Sequence, residues 1–203
     1  MIIGKTRWYA WWKANVATKM KRRRIMRGLS RVDLPEKGRL RVLEVGCANG
    51  KDVLQFLDDP ARYELYGVDL NDQKDLPPEI NFSRADAEHL PFPDKHFDLV
   101  ISVGLLEHIE PMEKLCAVIK EMDRVGKRQL HIVPSVTTLL EPHCGKLRFS
   151  HGLHKHLFGD QTYPLHLNFF TEHTWTKFEG FFDCQVDRMY YLPPLIKNTV
   201  IWK

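Results

Sequence analysis

Several features are missing from this chain of 203 residues, and each absence excludes a class of protein. No apolar run reaches about 18 residues, so we expect no transmembrane helix. The N-terminus is basic and aromatic and lacks an apolar core segment, which argues against a secretory signal. No C-x-x-C pair occurs, so reduced thiols are favoured over a disulfide framework or a zinc site at Cys47, Cys116, Cys144 and Cys184. These absences predict a cytoplasmic protein.

Acidic residues are absent from the first 32 positions, which carry ten of the 30 lysines and arginines. The remainder has 20 bases against 26 acids, so the basic character is local. We predict a helix over Thr6 to Leu29 with an apolar side and a cationic side. A helix packed on the rest of the chain is favoured; a membrane-surface helix is the functional alternative, and nucleic-acid binding ranks lower because no RNA-binding motif accompanies it.

The chain divides at the turn Pro35 to Gly38. Residues 1–34 form the basic aromatic N-terminal segment, and residues 35–203 form the second, larger domain. Within that domain the first feature is a short apolar strand, Val42 to Val45, followed by the glycine turn Gly46 to Gly50. A helix is predicted over Lys51 to Leu57. Glycines allow a sharp turn against which a ligand can lie.

The spacing of this turn excludes two common ligands. It does not supply the G-x-G-x-x-G of a dinucleotide loop, and Asp52 stands where a phosphate loop needs Ser or Thr. Glu44, two places before the first glycine, suits a cationic ligand better than a phosphate. The pattern E-x-G-x-x-x-G resembles motif I of the class I S-adenosylmethionine-dependent methyltransferases, whose cofactor carries a sulfonium and an ammonium group. The family's middle glycine is Ala48 here, which is small enough to fit.

Later stretches resemble the same family in the same order. Asp69 ends the predicted strand Tyr63 to Leu70, about 20 residues beyond the loop, where an acid accepts hydrogen bonds from ribose hydroxyls. A third strand, Ile80 to Ala85, is followed by Asp86 and Ala87, which match the family's adenine position.

The stretch Leu90 to Ser102 resembles the family's L-P-F-x-D-x-x-F-D-x-V sequence and leads into a fourth strand. The resemblance covers Arg41 to about Ser135 and is to the type 11 methyltransferase-domain family. It implies S-adenosylmethionine as the cofactor. It assigns contacts with that cofactor to Glu44, Gly46, Cys47, Ala48, Gly50, Asp69, Leu70, Asp86, Ala87 and Ser102.

Within this set the resemblance gives three parts of the cofactor their partners. Glu44 would face the methionine end, Asp69 the ribose, and Asp86 with Ala87 the adenine.

Strands and helices alternate along the chain, which predicts a parallel, right-handed wound α/β sheet. Beyond the fourth strand we predict the elements Pro111 to Arg124 (helix), Gln129 to Val133 (strand), Glu172 to Phe182 (helix), and Val186 to Leu192 and Thr199 to Lys203 (strands). The resemblance implies a Rossmann-like, seven-stranded, mostly parallel sheet with helices on both faces and an antiparallel last strand.

The segment at about 135–170 is too long for an ordinary connection and is predicted to be an acceptor-binding insert. It is rich in histidine, but no spacing matches a metal site, so no metal is predicted. Glu141-Pro142-His143 and the stretch from His166 to Thr171 resemble, less specifically, methyltransferases of surface-polysaccharide and glycolipid gene clusters.

A hydroxyl acceptor requires a general base, and histidine suits that role. The candidates are His108, His143 and His166; His108 lies in a stretch that the family places beside the methyl-transfer centre, or it merely begins a helix. We therefore expect methyl transfer to a hydroxyl of a sugar, glycolipid or other small molecule. Two alternatives stay open: a cofactor-binding nucleic-acid methyltransferase, and a non-catalytic interaction module that uses the basic arm. Peripheral membrane contact through the N-terminal helix is a further expectation.

Overall fold

A computed structural model describes residues 18–56, 59, 61–73, 75–134, 140–141, 146–147, 184–191 and 196–203. The helices are α1 (Thr18–Leu29) and α2 (Met112–Val125), with 3-10 helices at Val53–Phe56 and Leu106–His108. The strands are β1 (Leu40–Val45), β2 (Tyr63–Asp69), β3 (Ile80–Arg84), β4 (Leu99–Val103), β5 (Gln129–Pro134), β6 (Leu140–Glu141), β7 (Lys146–Leu147), β8 (Gln185–Tyr191) and β9 (Ile196–Trp202).

Seven of these strands form one sheet in the order β3-β2-β1-β4-β5-β9-β8, and β6 pairs separately with β7. The five strands from β3 to β5 are parallel, with Val45 beside Val68 and Asp69 beside Arg84 in the register. Because parallel strands end at the same side, the loops that follow β1, β2, β3 and β4 meet along one border, which we call the carboxyl edge. The predicted α/β sheet is confirmed, and its first strand lies at the centre of this edge.

Each face of the sheet is covered by a described helix. On one face Ile25 and Leu29 of α1 pack on side chains from five strands: Val42, Leu65, Leu99, Ile101, Leu130, Ile132 and Val200. A Cβ on Gly28 would lie 2.9 Å from a methyl carbon of Leu130, so this helix approaches the sheet closely. On the other face α2 buries Leu115, Val118, Ile119, Met122 and Val125 against Leu43, Val45, Val68, Val100 and Ile201. Apolar burial on both faces explains why β1 and β4 are apolar at almost every position.

The antiparallel last strand is also confirmed. β9 runs antiparallel to both β5 and β8, and lies between them. Backbone hydrogen bonds join Lys203 and Gln129 in both directions, and Arg31 lies over the Trp202 ring at 5.6 Å. This strand therefore joins α1 to the parallel half of the sheet.

One predicted element is wrong. The segment Lys51 to Leu57 was expected to form an α-helix, whereas the structure has a single 3-10 turn at Val53–Phe56. The segment between Gly50 and Pro60 is shorter than the length at which an α-helix becomes stable by itself, and a short 3-10 turn is common in such connections. The other strands and α2 agree with prediction to within a few residues. The N-terminal part of the predicted first helix, the helix Glu172 to Phe182 and most of the insert lie outside the described residues.

A chain of buried polar groups crosses the α2 face of the sheet. The Ser102 hydroxyl and His131 Nδ1 are 2.9 Å apart, His131 Nε2 is 2.7 Å from Gln129 Oε1, and Gln129 Nε2 donates to Asp123 Oδ1 at 2.9 Å. A carboxylate can only accept, so the Gln129 amide oxygen must face His131 and accept from Nε2–H. His131 Nδ1 then carries no proton and accepts from Ser102. The complete burial of this ring lowers its pKa to about 4.

Within the described part of the chain, no helix is long and apolar enough to cross a bilayer.

Candidate active site

The glycine turn at the carboxyl edge is held by the neighbouring strand. The N–H groups of Gly46 and Cys47 both donate to the Val68 carbonyl, at 2.8 and 3.0 Å, and Gly50 N–H closes the turn on the Cys47 carbonyl at 2.7 Å. Gly46, Ala48 and Gly50 have φ values of 75°, 44° and 71°. A left-handed conformation is natural for glycine but unusual for alanine. Ala48 thus adopts a backbone conformation that glycine takes more readily, at the position where the resembled motif has glycine.

Glu44 holds this turn from below. Its carboxylate accepts the Val53 N–H at 2.9 Å, and only 1% of the residue is exposed. The contact stabilises the first turn of the 3-10 helix, whose N–H groups have no partner within the helix. The structure therefore gives Glu44 a contact within the protein, and a direct contact with the methionine end of a cofactor stays a prediction.

Asp69 at the end of β2 presents a carboxylate that the backbone orients through both oxygens. Oδ2 accepts the Ala48 N–H at 2.9 Å and Oδ1 accepts the Asn71 N–H at 3.0 Å. Each carboxylate oxygen has a further lone pair. A pair of vicinal hydroxyls is the ligand that such a fork can bind, which agrees with the predicted ribose contact. Beside it Leu70 is 60% exposed, so an apolar surface lies next to the fork.

Asp86 lies two residues beyond β3, at the same edge. Its Oδ1 accepts the Glu88 N–H at 3.1 Å, and its Oδ2 is 3.4 Å from the Lys114 ammonium. The pKa of this carboxyl is lowered, chiefly by the Glu88 N–H and then by Lys114. Ala87 is half-buried against the α2 face of the sheet. The predicted acceptor for an adenine amino group is therefore ionised and held in one orientation.

The segment after Asp86 is fixed to α2 by two further side chains. Arg124 donates to the carbonyls of Leu90 and Phe92 at 3.0 and 2.9 Å, and Glu121 accepts the Leu90 N–H at 2.8 Å. A guanidinium presents several donors in a rigid plane, which suits two carbonyls at once. α2 thereby sets the height of this segment above the sheet.

As at Glu44, the side chains of two further predicted cofactor residues are buried. The Cys47 thiol lies under the turn, beside Gly67, and its pKa is raised to about 12 by burial and then by the charges of Glu44 and Asp69. It is a packed thiol and not a nucleophile. Ser102 is fully buried and bonded to His131, so its side chain is not presented at the edge.

His108 is the candidate base that the structure describes. It ends the second 3-10 helix, just beyond β4, and its side chain reaches solvent. Partial desolvation lowers its pKa, so the ring is neutral near pH 7, as a general base must be. His143 and His166 lie outside the described residues, and their roles stay predictions.

Leu105 is a contributor that the sequence did not reveal. A Cβ on Gly46 would lie 2.8 Å from Leu105 Cδ1, so this side chain closes the space beside the turn. The preceding Gly104 has a φ of 73°, which aims the chain back toward β1. The signal was present in the sequence as a glycine directly after a buried strand.

Residues 43–133 match a family model described as a methyltransferase domain. The curated relative ajmaline N-methyltransferase of Rauvolfia serpentina is 31% identical over 107 residues. This match spans 46% of the present chain and 35% of the relative, so the chain covers about a third of that protein's length. Residues 43–133, the part of the chain that the family model matches, contain the glycine turn, Asp69 and Asp86. These residues form a class I S-adenosylmethionine-dependent methyltransferase domain.

Solved structures of methyltransferases share the fold. A SAM-dependent methyltransferase from Archaeoglobus fulgidus aligns with a TM-score of 0.65 at 16% identity, over 97% of this chain and 99% of that one. The 1,6-didemethyltoxoflavin-N1-methyltransferase of Burkholderia thailandensis, solved with bound 1,6-didemethyltoxoflavin and S-adenosylhomocysteine, aligns with a TM-score of 0.61 at 14% identity. That alignment covers 94% of this chain and 79% of the other. At such identities the likeness shows the fold.

The residues of this methyltransferase domain fit S-adenosylmethionine as cofactor. Asp69 offers the fork for two ribose hydroxyls, Leu70 offers an apolar contact, and Asp86 offers an ionised acceptor. Glu44 adds a buried negative charge beneath the turn to the half-buried carboxylates of Asp69 and Asp86, which favours a cationic ligand over a phosphate. Among the described residues, no group of three metal-ligating side chains accompanies this site.

Proposed function

We propose that the protein transfers a methyl group from S-adenosylmethionine to a hydroxyl of a sugar, glycolipid or other small molecule. The observation that carries the cofactor part is the Asp69 fork, because both carboxylate oxygens are oriented by backbone N–H groups before any ligand arrives. Bound there, the cofactor would supply a methyl group to the acceptor oxygen, and its sulfonium–methyl bond would break to leave S-adenosylhomocysteine.

The chain's own residues have two tasks in this reaction. Asp69 and Asp86 fix the two ends of the adenosine, which sets where the methyl group lies above the carboxyl edge. His108 takes the hydroxyl proton as the acceptor oxygen forms its new bond to carbon, and its neutral ring has the free nitrogen that this step needs. The resemblance of the insert around His143 to glycan and glycolipid methyltransferases supports the choice of a hydroxyl.

Calorimetry with S-adenosylhomocysteine tests the cofactor site. Asp69→Ala is expected to weaken binding about 10- to 100-fold, because hydrogen bonds to a charged group are lost. Asp33→Ala is the matched control, since this carboxylate is fully exposed and precedes β1 on the opposite side of the sheet from the edge. Equal affinity of the Asp69 variant and the parent protein would disprove the site.

A methyl-transfer screen with labelled cofactor tests the acceptor. Glycan, glycolipid, small-molecule and RNA acceptors are compared, with His108→Gln beside the parent protein. A hydroxyl acceptor predicts a large loss of turnover in this variant and a rate that falls as His108 is protonated. Labelling of an amine with full activity of the variant would instead favour nitrogen, the acceptor atom named for the two N-methyltransferases described above.

We also propose that α1 contacts an anionic membrane surface. Lys19, Arg23 and Arg27 are spaced four residues apart and are all exposed, so they form one row on the helix side opposite Ile25 and Leu29. Like charges at this spacing destabilise a helix, and α1 contains no acid to offset them. A row of cations beside the exposed Met26 suits a surface of acidic lipid headgroups.

Sedimentation with vesicles tests this contact. The double variant Lys19→Gln and Arg23→Gln is expected to weaken binding to phosphatidylserine vesicles about 30-fold, at about 1 kcal/mol per base. The double variant Lys37→Gln and Arg39→Gln is the matched control, because these exposed bases lie outside the row. Equal losses in both variants, or binding to RNA but not to vesicles, would overturn the membrane proposal.

A further inference from the structure

Lys114 occupies an unfavourable position in α2. It lies in the first turn of a 14-residue helix, where the helix dipole favours acids over bases. Its ammonium group reaches away from the helix axis to two carboxylates, at 2.9 Å from Glu88 Oε2 and 3.4 Å from Asp86 Oδ2. These two contacts offset the dipole, and both partners belong to the segment that follows β3.

The two carboxylates have different parts in this cluster. Glu88 is the closer partner and, at 26% side-chain exposure, the more buried one, so it holds the ammonium in place. Asp86 is the farther partner and has its other oxygen on the Glu88 N–H. The Asp86 carboxylate is thus held from two sides, with lone pairs left for a donor arriving from the carboxyl edge.

We propose that Lys114 is a positioning residue for the adenine of the cofactor, since it holds the Asp86 carboxylate in the orientation that accepts the adenine amino group. This inference rests on the proposed cofactor site, in which Asp86 contacts adenine. Lys114 itself makes no contact with the reacting atoms and acts through Asp86.

The charged groups that face Asp86 determine how binding depends on pH. The charged groups are Lys114 from α2 and His89, three residues along the same segment, and the neutral Glu88 N–H donates a hydrogen bond beside them. The Glu88 N–H, Lys114 and His89 all lower the pKa of Asp86. Removal of Lys114 raises the pKa of Asp86. The Asp86 carboxylate is then protonated at a higher pH than in the parent protein, and the affinity for the cofactor is lost at that higher pH.

The test is calorimetry of the full chain with S-adenosylhomocysteine from pH 3.5 to 7.5, a range that reaches the protonation of Asp86, whose pKa lies below its ordinary value. Lys114→Met is expected to weaken binding about fivefold at pH 7.5, the scale of partly exposed ion pairs, and to shift the acid loss of affinity to higher pH. Lys114→Arg should restore both properties. Lys120→Met, an exposed lysine on the same helix, is the matched control and should behave as the parent protein.

A second ligand separates positioning from mere structural damage. S-inosylhomocysteine carries a carbonyl where adenine carries the amino group, so an ionised Asp86 rejects it. Lys114→Met should reduce the ratio of the affinity for S-adenosylhomocysteine to the affinity for S-inosylhomocysteine. A general loosening of α2 would weaken the binding of both ligands equally and would overturn the inference. Lys114→Gln replaces the Met variant if the latter does not fold.

Asp86→Ala tests the adenine contact of Asp86 separately from the positioning role of Lys114. If this variant binds S-adenosylhomocysteine as the parent does, the adenine assignment itself is wrong. If it weakens binding while Lys114→Met changes neither affinity, pH dependence nor base preference, the assignment stands and Lys114 has no positioning role.

Discussion

Acid should destabilise this protein through His131 before it protonates the paired carboxylates. The ring is 2% exposed and lies in the polar chain between Ser102 and Gln129, and its pKa falls from 6.5 to about 4. The unfolded chain therefore binds a proton near pH 6.5, whereas the folded protein does not until about pH 4. The contribution of the neutral His131 to the free energy of unfolding is fully present above pH 6.5 and declines as the pH falls toward 4.

The magnitude follows from the size of this shift. A difference of about 2.5 units corresponds to about 3 kcal/mol over the whole window, and about 2 kcal/mol of it is lost between pH 8 and pH 5. Asp86, Asp98 and Glu121 have pKa values below their ordinary ones, so their contributions are lost mostly below pH 5. The interval from pH 8 to 5 thus isolates the histidines.

Urea unfolding of the parent protein and of His131→Gln at pH 8 and pH 5 measures the effect. Glutamine has no proton to gain, so the variant should lose about 2 kcal/mol less than the parent between these two pH values. His96 and His108, whose pKa values are also lowered by desolvation, contribute equally to both proteins and cancel in the difference. If the free energy of unfolding falls by the same amount in both proteins between pH 8 and pH 5, His131 is not the source of the acid sensitivity.

Three further substitutions test the geometry of the edge. Ala48→Gly relieves a left-handed alanine and is expected to change stability by less than about 1 kcal/mol in either direction, since glycine also adds unfolded-state entropy; a loss above that in thermal unfolding would contradict the strain. Gly67→Ala places a Cβ 2.8 Å from the Cys47 sulfur and should cost about 1–3 kcal/mol and weaken S-adenosylhomocysteine binding; an unchanged melting temperature and affinity would contradict it. Arg124→Gln removes the donors to the Leu90 and Phe92 carbonyls and should cost about 1–2 kcal/mol in urea unfolding. The control Lys127→Gln loses a single salt bridge, from a half-exposed ammonium to the largely buried Asp98, and should cost less.

The local sequence was sufficient to predict those parts of the site that consist of one strand and the loop that follows it. The strand before Gly46 is apolar because both its faces are buried, and Asp69 ends the adjacent strand, so both could be predicted without knowledge of the fold. The fork at Asp69 also depends on this neighbour relation, because one of its donors, the Ala48 N–H, comes from the turn after β1.

Contacts between distant elements could not be predicted in this way. Lys114 and Arg124 reach the segment from Asp86 to Leu90 only because α2 packs at a particular rotation and height on the sheet. The Ser102–His131 pair depends on the register between β4 and β5, which places these two residues side by side. Rotation and register are set by the whole core and have no signature in either segment alone.

The position of β9 has a consequence for how the protein is made. β5 is synthesised more than 60 residues before its neighbour on that side, Ile196–Trp202, and until then its backbone N–H and C=O groups form an open border. The ribosome releases the chain from its N-terminus onward, so the parallel half of the sheet can assemble first. Until β9 is released, the backbone N–H and C=O groups along the outer side of β5 stay unpaired. A nascent chain arrested before Ile196 should therefore bind chaperones or associate through β5. Once β9 has left the ribosome and paired with β5, this binding should stop.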